Sequence, residues 1–282
     1  MQVGDWQLET VSGGAFLLDG GSMFGVVPKP LWERLQPPDA MNRIRSATNC
    51  VLARDGTRNV LIDTGYGGKA TPREQERFAL EPGEPLVASL AALGLAPADI
   101  DIVVFSHLHF DHAGGAVTKG ADGSLVPTFP RAQHIAQRGE WEAAIGGAPE
   151  LKGSYLLENL LPLEASGRLT LIDGDVEILP GLRSIVTGGH TAAHQALVFS
   201  GGNAGAIYIG DLCPMSSHLP SLWCMAFDIF PLETRRKKPQ ILEQAADAGW
   251  TVIWNHDPDI ACGKVARHDR KEFVVVEGRP KL

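Results

Sequence analysis

The segment "FSHLHFDHAGG", Phe105 to Gly115, places three of the chain's nine histidines within six positions and sets an aspartate directly before the third. An imidazole has an unperturbed pKa near ~6.5, so several of them facing one another lose charge or repel unless something cationic holds them together. A metal ion is the obvious cation. His107 and His109 are two residues apart, so in extended backbone their rings point the same way and can share one ion. Asp111 and His112 follow where "AGGAV" turns the chain toward a helix, which aims them at a neighbouring point suited to a second ion. The spacing HxHxDH followed by Gly-Gly is far more specific than a lone histidine, and histidine with carboxylate is a common ligand set for divalent metals.

Residues of the same types stand at the ends of other apolar runs. "DIVVFS" leads into His107, "LRSIVTGG" into His190, "AGAIYIG" into Asp211, "TVIWN" into His256 and "NVLI" into Asp63. If these runs are strands lying side by side in one sense, their ends form a single rim, where loops carry chemistry on a rigid scaffold. Short β-branched runs closed by turn residues dominate, with Asp55-Gly56 as a hairpin turn in "NCVLARDGTRNVLIDTG". Strands are expected within Val51–Ile62, Ile102–Phe105, Thr170–Val186, Gln195–Ile209 and Thr251–Trp254. Helical spacing covers Pro85–Leu95, Gly139–Ile145, Tyr155–Leu163 and Lys238–Ala248, giving an α/β or α+β class with two similar halves around one core. The proline-rich segment Ser22 to Arg45 reads as a long ordered loop.

Composition narrows the function. The chain has 282 residues, is 44% hydrophobic and carries a net charge of −8, the wrong sign for tracking phosphates, so no nucleic-acid partner is expected. Arg235, Arg236, Lys237 and Lys238 form a dense basic run beside Glu233 and Glu243 that reads as a solvated helix face. "MQVGDWQLET" lacks the pattern of a secretion signal, and "LVASLAALGLA" is too short to cross a bilayer, so a cytoplasmic protein without a membrane partner is expected. Cys50, Cys213, Cys224 and Cys262 are widely spaced, which suggests reduced structural thiols.

The motifs "LIDTG" (Leu61 to Gly65), "HLHFDH" (His107 to His112), "GGHTAAH" (Gly188 to His194), "GD" (Gly210-Asp211) and "NHD" (Asn255 to Asp257) run in order along nearly the whole chain, and in this it resembles the metallo-β-lactamase-fold hydrolases. The resemblance implies a four-layer αβ/βα sandwich, an α+β fold occupying residues 1–282 as one domain of two pseudo-repeated halves. It implies that His107, His109 and His190 hold one metal, that Asp111, His112 and His256 hold a second, that Asp211 bridges them, and that Asp63 orients a ligand from behind. With six terminal ligands and a bridge in place, His194 is expected to act by a hydrogen bond from outside the ligand set. The ions would be zinc, with iron, manganese or cobalt as alternatives.

Within the family, "DGGSMFGVVPKPLW" and "GDLCPMSSHLPSLWCMAFDIFP" look like the lactonases that open acyl-homoserine lactones and their relatives that cleave phosphotriesters. One departure is Pro214, which stands where the best-known such lactonases carry a tyrosine; Tyr208 on the preceding strand is given a structural role only. The expected reaction is ester hydrolysis by a hydroxide held between the two metals, with Asp111 relaying a proton and a lactone as the leading substrate. Phosphotriester or aryl ester hydrolysis is the enzymatic alternative, and a non-catalytic metal-bound sensor is the alternative of another class. No GxSxG elbow is present to support a serine hydrolase. His218 matches a histidine of the lactonase subgroup and could touch substrate, whereas His134, His268 and Cys213 are left out of the site. Met23, Phe24 and Trp32, with Leu219, Trp223, Met225 and Phe227, are large apolar groups in connecting segments. They would line a pocket for an acyl chain or aryl group, or cover a second subunit in a homodimer.

Overall fold

A computed structural model describes residues 1–202 and 204–282. Strand β1 (Gln2–Val3), β2 (Trp6–Asp19), β3 (Arg43–Arg54), β4 (Asn59–Ile62) and β5 (Ile102–Val104) are followed by a separate hairpin of β6 (Val117–Lys119) and β7 (Leu125–Pro127), then by β8 (Gln133–Gln137) and β9 (Leu169–Ile172). The second half holds β10 (Glu177–Leu179), β11 (Leu182–Val186), β12 (Gln195–Gly201), β13 (Ala204–Tyr208), β14 (Thr251–Ile253), β15 (Cys262–His268) and β16 (Glu272–Arg279). Helices are α1 (Gly20–Phe24), α2 (Lys29–Trp32), α3 (Pro72–Phe78), α4 (Pro85–Ala92), α5 (Phe110–Ala113), α6 (Arg138–Ile145), α7 (Leu161–Ala165) and α8 (Pro231–Asp247).

Two seven-stranded sheets result, ordered β1-β2-β3-β4-β5-β8-β9 and β10-β11-β12-β13-β14-β15-β16. Each sheet is buried on both faces, and successive side chains along a strand point to opposite ones, so central strands are apolar throughout. In β4, Val60 and Ile62 point into the core shared by the two sheets while Leu61 points to the outer layer with α4. In β12, Leu197 and Phe199 point inward while Ala196 and Val198 pack outward against Ile241 and Leu242 of α8. Helix, sheet, sheet and helix therefore stack as the four expected layers.

The rim condition holds. β4 and β5 pair in parallel, as do β13 and β14. β11 shares the sense of β13 through two successive antiparallel pairings with β12. Asp63 and His107 thus emerge at one edge of the first sheet, and His190, Asp211 and His256 at one edge of the second.

Four local expectations change. Ser22 to Arg45 is not a continuous loop: Asp19 caps α1 through the Ser22 N–H, and Pro28 and Pro30 open α2 rather than break it. The run Thr170–Val186 is three strands, because β9 closes the first sheet and β10 starts the second. The Tyr155–Leu163 helix is a single 3₁₀ turn, Leu157–Asn159, before α7. Helix α8 begins at Pro231, which rotates the basic run so that Arg236 is exposed but Lys238 is buried.

Candidate metal centre

After β5, Phe105 and Ser106 carry the chain over the sheet edge to His107, and His109 stands in extended backbone just before α5. The short helix α5 then turns Asp111 and His112 inward. Ligand atoms of His107, His109 and His190 lie within 4.8 Å of one another, and the same holds for Asp111, His112 and His256. A third such group joins His107, His112 and Asp211 across the two. Asp211 faces both sides: Oδ2 is 3.3 Å from His190 Nε2, and Oδ1 is 3.3 Å from His112 Nε2 and 3.2 Å from His256 Nε2. Asp111 Oδ2 lies 3.5 Å from His256 Nε2. All seven side chains are buried.

The distal ring atoms are fixed from behind. His112 Nδ1–H donates to Asp63 Oδ2 at 2.8 Å, and Asp63 in turn accepts from the Ser106 N–H at 2.7 Å, the Ser106 hydroxyl at 2.6 Å and the Tyr208 hydroxyl at 2.8 Å. His190 Nδ1–H donates to Asp228 at 2.8 Å, and His256 Nδ1–H to the Ala47 carbonyl at 2.8 Å. In each ring this leaves Nε2 as the atom aimed at the centre, the usual arrangement behind a ligating imidazole. His194 stands apart from the ligand atoms. Its Nε2 accepts the Asp211 N–H at 3.0 Å and its Nδ1–H donates to Thr187 at 2.6 Å, so it fixes the backbone of Asp211. Gly210 makes this approach possible: its φ is +54°, and a Cβ there would lie 2.6 Å from His194 Nε2.

The electrostatics point to a cation. Burial and the neighbouring imidazoles hold His107 and His109 well below the ordinary histidine range. Burial also lowers His112, yet the carboxylates of Asp211, Asp63 and Asp111 outweigh it and hold His112 well above that range. Asp211 is raised by burial but held well below the usual carboxylate range by His256, His112 and His190. A field that keeps positive charge on a buried imidazole is a field for a metal ion. Among the described residues, His107 Nε2 is buried without a hydrogen-bond partner, His109 Nδ1 faces His190 Nε2 at 3.0 Å, and His112 Nε2 faces His256 Nε2 at 3.3 Å. These converging nitrogens with two carboxylates and no thiolate fit divalent ions of the zinc, iron, manganese or cobalt type.

A cavity of about 430 Å³ opens over the cluster, with His109, Asp111, His190, Asp211 and His256 in its floor. Met23, Met225 and Phe227 line it, together with Leu17, Phe78 and Phe110. Phe24, Trp32, His218, Leu219 and Trp223 do not line it. Trp32, Phe24 and His218 form a buried stack with centroid separations of 5.1 and 4.5 Å, and Trp223 meets Phe24 edge-on at 5.8 Å. Flat aromatic faces from two connecting segments bury more surface against one another than against solvent, so they make the wall's backing rather than its face. His218 Nε2–H donates to the Met23 carbonyl at 2.8 Å, away from the cavity, and Leu219 packs in the core beside α8.

Pro214 is buried outside the cavity lining, and its carbonyl accepts the His256 N–H at 2.9 Å, so no phenol reaches the centre from that position. Cys213 is buried in the outer core. Two carboxylates escape a reading of the sequence. Asp228 behind His190 lies in an unpatterned loop, and Glu140 on α6 accepts from the Leu108 N–H at 3.1 Å, Tyr155 at 2.7 Å and Thr191 at 2.6 Å, tying both histidine loops together. Only the buried face of α6 could have hinted at Glu140. No helix among the described residues is long and apolar enough to cross a membrane.

Residues 43–223 match the sequence profile of the metallo-beta-lactamase superfamily. Over 170 residues the chain is 31% identical to an N-acyl homoserine lactonase of Bacillus cereus, a match covering 57% of this chain and 61% of that protein. The chain thus spans well under two thirds of that curated relative's length. The whole fold superposes on a probable metal-dependent hydrolase from Staphylococcus aureus with a TM-score of 0.86 at 30% identity, covering 98% of this chain and 99% of that one. At 20% identity, which bears on the fold alone, it also matches AidC, a dizinc quorum-quenching lactonase, with a TM-score of 0.80 over 98% of this chain and 96% of that one.

Proposed function

Because the chain belongs to the metallo-beta-lactamase superfamily, we propose that it is a dinuclear metal-dependent hydrolase that opens lactones, with acyl-homoserine lactones the leading class. The observation that carries this reading is Asp211, whose two oxygens face two separate side-chain groups at the floor of one cavity. His107, His109 and His190 would hold the first ion and Asp111, His112 and His256 the second, with Asp211 between them; zinc suits the set, as do iron, manganese and cobalt. When bound, the ions would supply Lewis acidity and a water acidified from ~15.7 toward ~7.

The chain's own residues do the rest. Asp63, Asp228 and the Ala47 carbonyl keep three imidazoles in the tautomer that presents Nε2. Asp111 lines the cavity, and in this reading it passes a proton to the leaving ring oxygen, with no tyrosine at Pro214 to share that work. Leu17, Met23, Phe78, Phe110, Met225 and Phe227 form an apolar wall that excludes water and receives an acyl chain.

Phosphotriester and aryl ester hydrolysis use the same groups and form the second reading. The four cysteines, all buried and unpaired, support a reducing cytoplasmic setting. The core shared by the two sheets supports residues 1–282 acting as one domain of two related halves. Exposed Val26 and Leu222, in the two segments that also carry the cavity-lining Met23, Met225 and Phe227, support a homodimer. Assaying lactones, phosphotriesters, thioesters and β-lactams on one preparation with its metal content tests the reading. Lactone turnover above the other classes is the expected outcome. Metal binding with no turnover of any substrate would favour the sensor.

A further inference from the structure

Lys238 of α8 is wholly buried, and its ammonium donates to three backbone carbonyls of one connecting segment: His218 at 2.7 Å, Pro220 at 2.9 Å, and Trp223. An ammonium has three protons, so each finds an acceptor. Taking such a charge out of water is expensive, and a lysine is kept there only where the acceptors repay the lost hydration. The acceptors are not a carboxylate elsewhere in the fold. They are successive turns of the segment that runs from Asp211 to α8.

That segment leads into the cavity wall. Immediately after Trp223, Met225 and Phe227 line the cavity, while the Ala226 N–H donates to the Ser22 carbonyl at 2.8 Å and holds the wall against α1. Its far end is tied separately, by Ile229 N–H to the His190 carbonyl at 3.0 Å and Phe230 N–H to Gly189 at 2.8 Å. The metal side of the segment therefore has its own anchors, while the 218–223 turn is held from within by Lys238 and from its exposed side by the Ser221 N–H, which donates to Glu272 at 3.0 Å.

We propose that Lys238 is a positioning residue of the substrate site: its buried charge pins the 218–223 turn so that Met225 and Phe227 keep their places in the wall. The proposal rests on reading the cavity as an ester or lactone site. Its first readout does not, because it measures only whether the wall segment is held.

Lys238→Met keeps the stem and removes all three donors, Lys238→Gln keeps two N–H groups, and Arg236→Met on the exposed face is the control. Limited chymotrypsin digestion of the metal-loaded proteins, well below their unfolding temperatures, reports cleavage at Leu222, Trp223 and Phe227. Lys238→Met should be cut there about tenfold faster than the parent, the scale of one lost charge-assisted hydrogen bond. Its KM for long-chain lactones should rise about tenfold while kcat stays within about threefold and bound metal is unchanged, since wall contacts act on binding. Lys238→Gln should fall between, and Arg236→Met should match the parent. If Lys238→Met does not fold, Lys238→Gln carries the same comparison. Parental cleavage rates and KM in a destabilised Lys238 variant would overturn the proposal, as would a fall in kcat that tracks lost metal. If the parent hydrolyses no ester at all, the functional reading fails by itself, and the digestion still decides whether Lys238 holds the wall.

Discussion

Replacing Asp228 by Ala removes the carboxylate that fixes the Nδ1 proton of His190 at 2.8 Å, without touching any ligand atom. Partners of this kind typically contribute 10- to 100-fold to metal affinity, so Asp228→Ala should weaken the first site by about that factor and leave the His256 side nearly intact. Competition with a chromophoric chelator measures both sites, and equal weakening of the two would contradict the assignment. Asp228 also shows where single residues are legible. His107, His109, Asp111 and His112 announce themselves because four residues of metal-ligating type are crowded into one stretch. Asp228, Glu140 and the Ala47 carbonyl act through tertiary proximity alone, at sequence separations of 38 from His190, 51 from Thr191 and 209 from His256, so no local pattern marks them.

At the level of elements, rim residues were readable because each follows an apolar run, and parallel pairing of β4 with β5 and of β13 with β14 brings the ends together. The apolar connecting segments were less readable, since large side chains in a loop can face a ligand or one another. Phe24 faces Trp32 and His218. Phe24→Ala should therefore cost about 3 to 5 kcal/mol of stability, as for other large aromatic truncations in a core. Phe227→Ala should cost little stability and flatten the gain of about fourfold in kcat/KM per added methylene. Denaturant titration and a chain-length series separate the two, and a reversal of the two effects would put Phe24 back in the pocket wall. The register of α8 was misread for a related reason. The helical spacing covers Lys238–Ala248, whereas the helix runs from Pro231 through Pro239 with Lys238 on its buried face.

A second element-scale test uses β8. His134 is buried beneath Phe105 with neither ring nitrogen hydrogen-bonded among the described residues, and burial lowers its pKa to about 4. Its folded value lies below the unfolded one of ~6.5, so the unfolded chain binds the extra proton between these limits and stability falls as pH drops through them. The parent should lose about 3 kcal/mol more than His134→Leu between pH 7 and pH 4. Urea unfolding of both proteins at each pH gives the difference. Parallel pH profiles would mean that His134 accepts its proton in the folded state as well.

For the whole molecule, the layered architecture follows from strands apolar on both faces, and the site follows from two sheet edges meeting. Neither sheet holds the centre alone: Asp63, His107, His109, Asp111 and His112 come from the first, and His190, Asp211 and His256 from the second. That division makes the metal count the most direct test of the dinuclear reading. Chelated protein is titrated with a divalent ion while proton release from an acyl-homoserine lactone is followed. Turnover that rises to a plateau at about two equivalents per chain is the expected result for a two-metal site. A plateau at one equivalent, full turnover in the chelated protein, or no turnover at any ratio would contradict it.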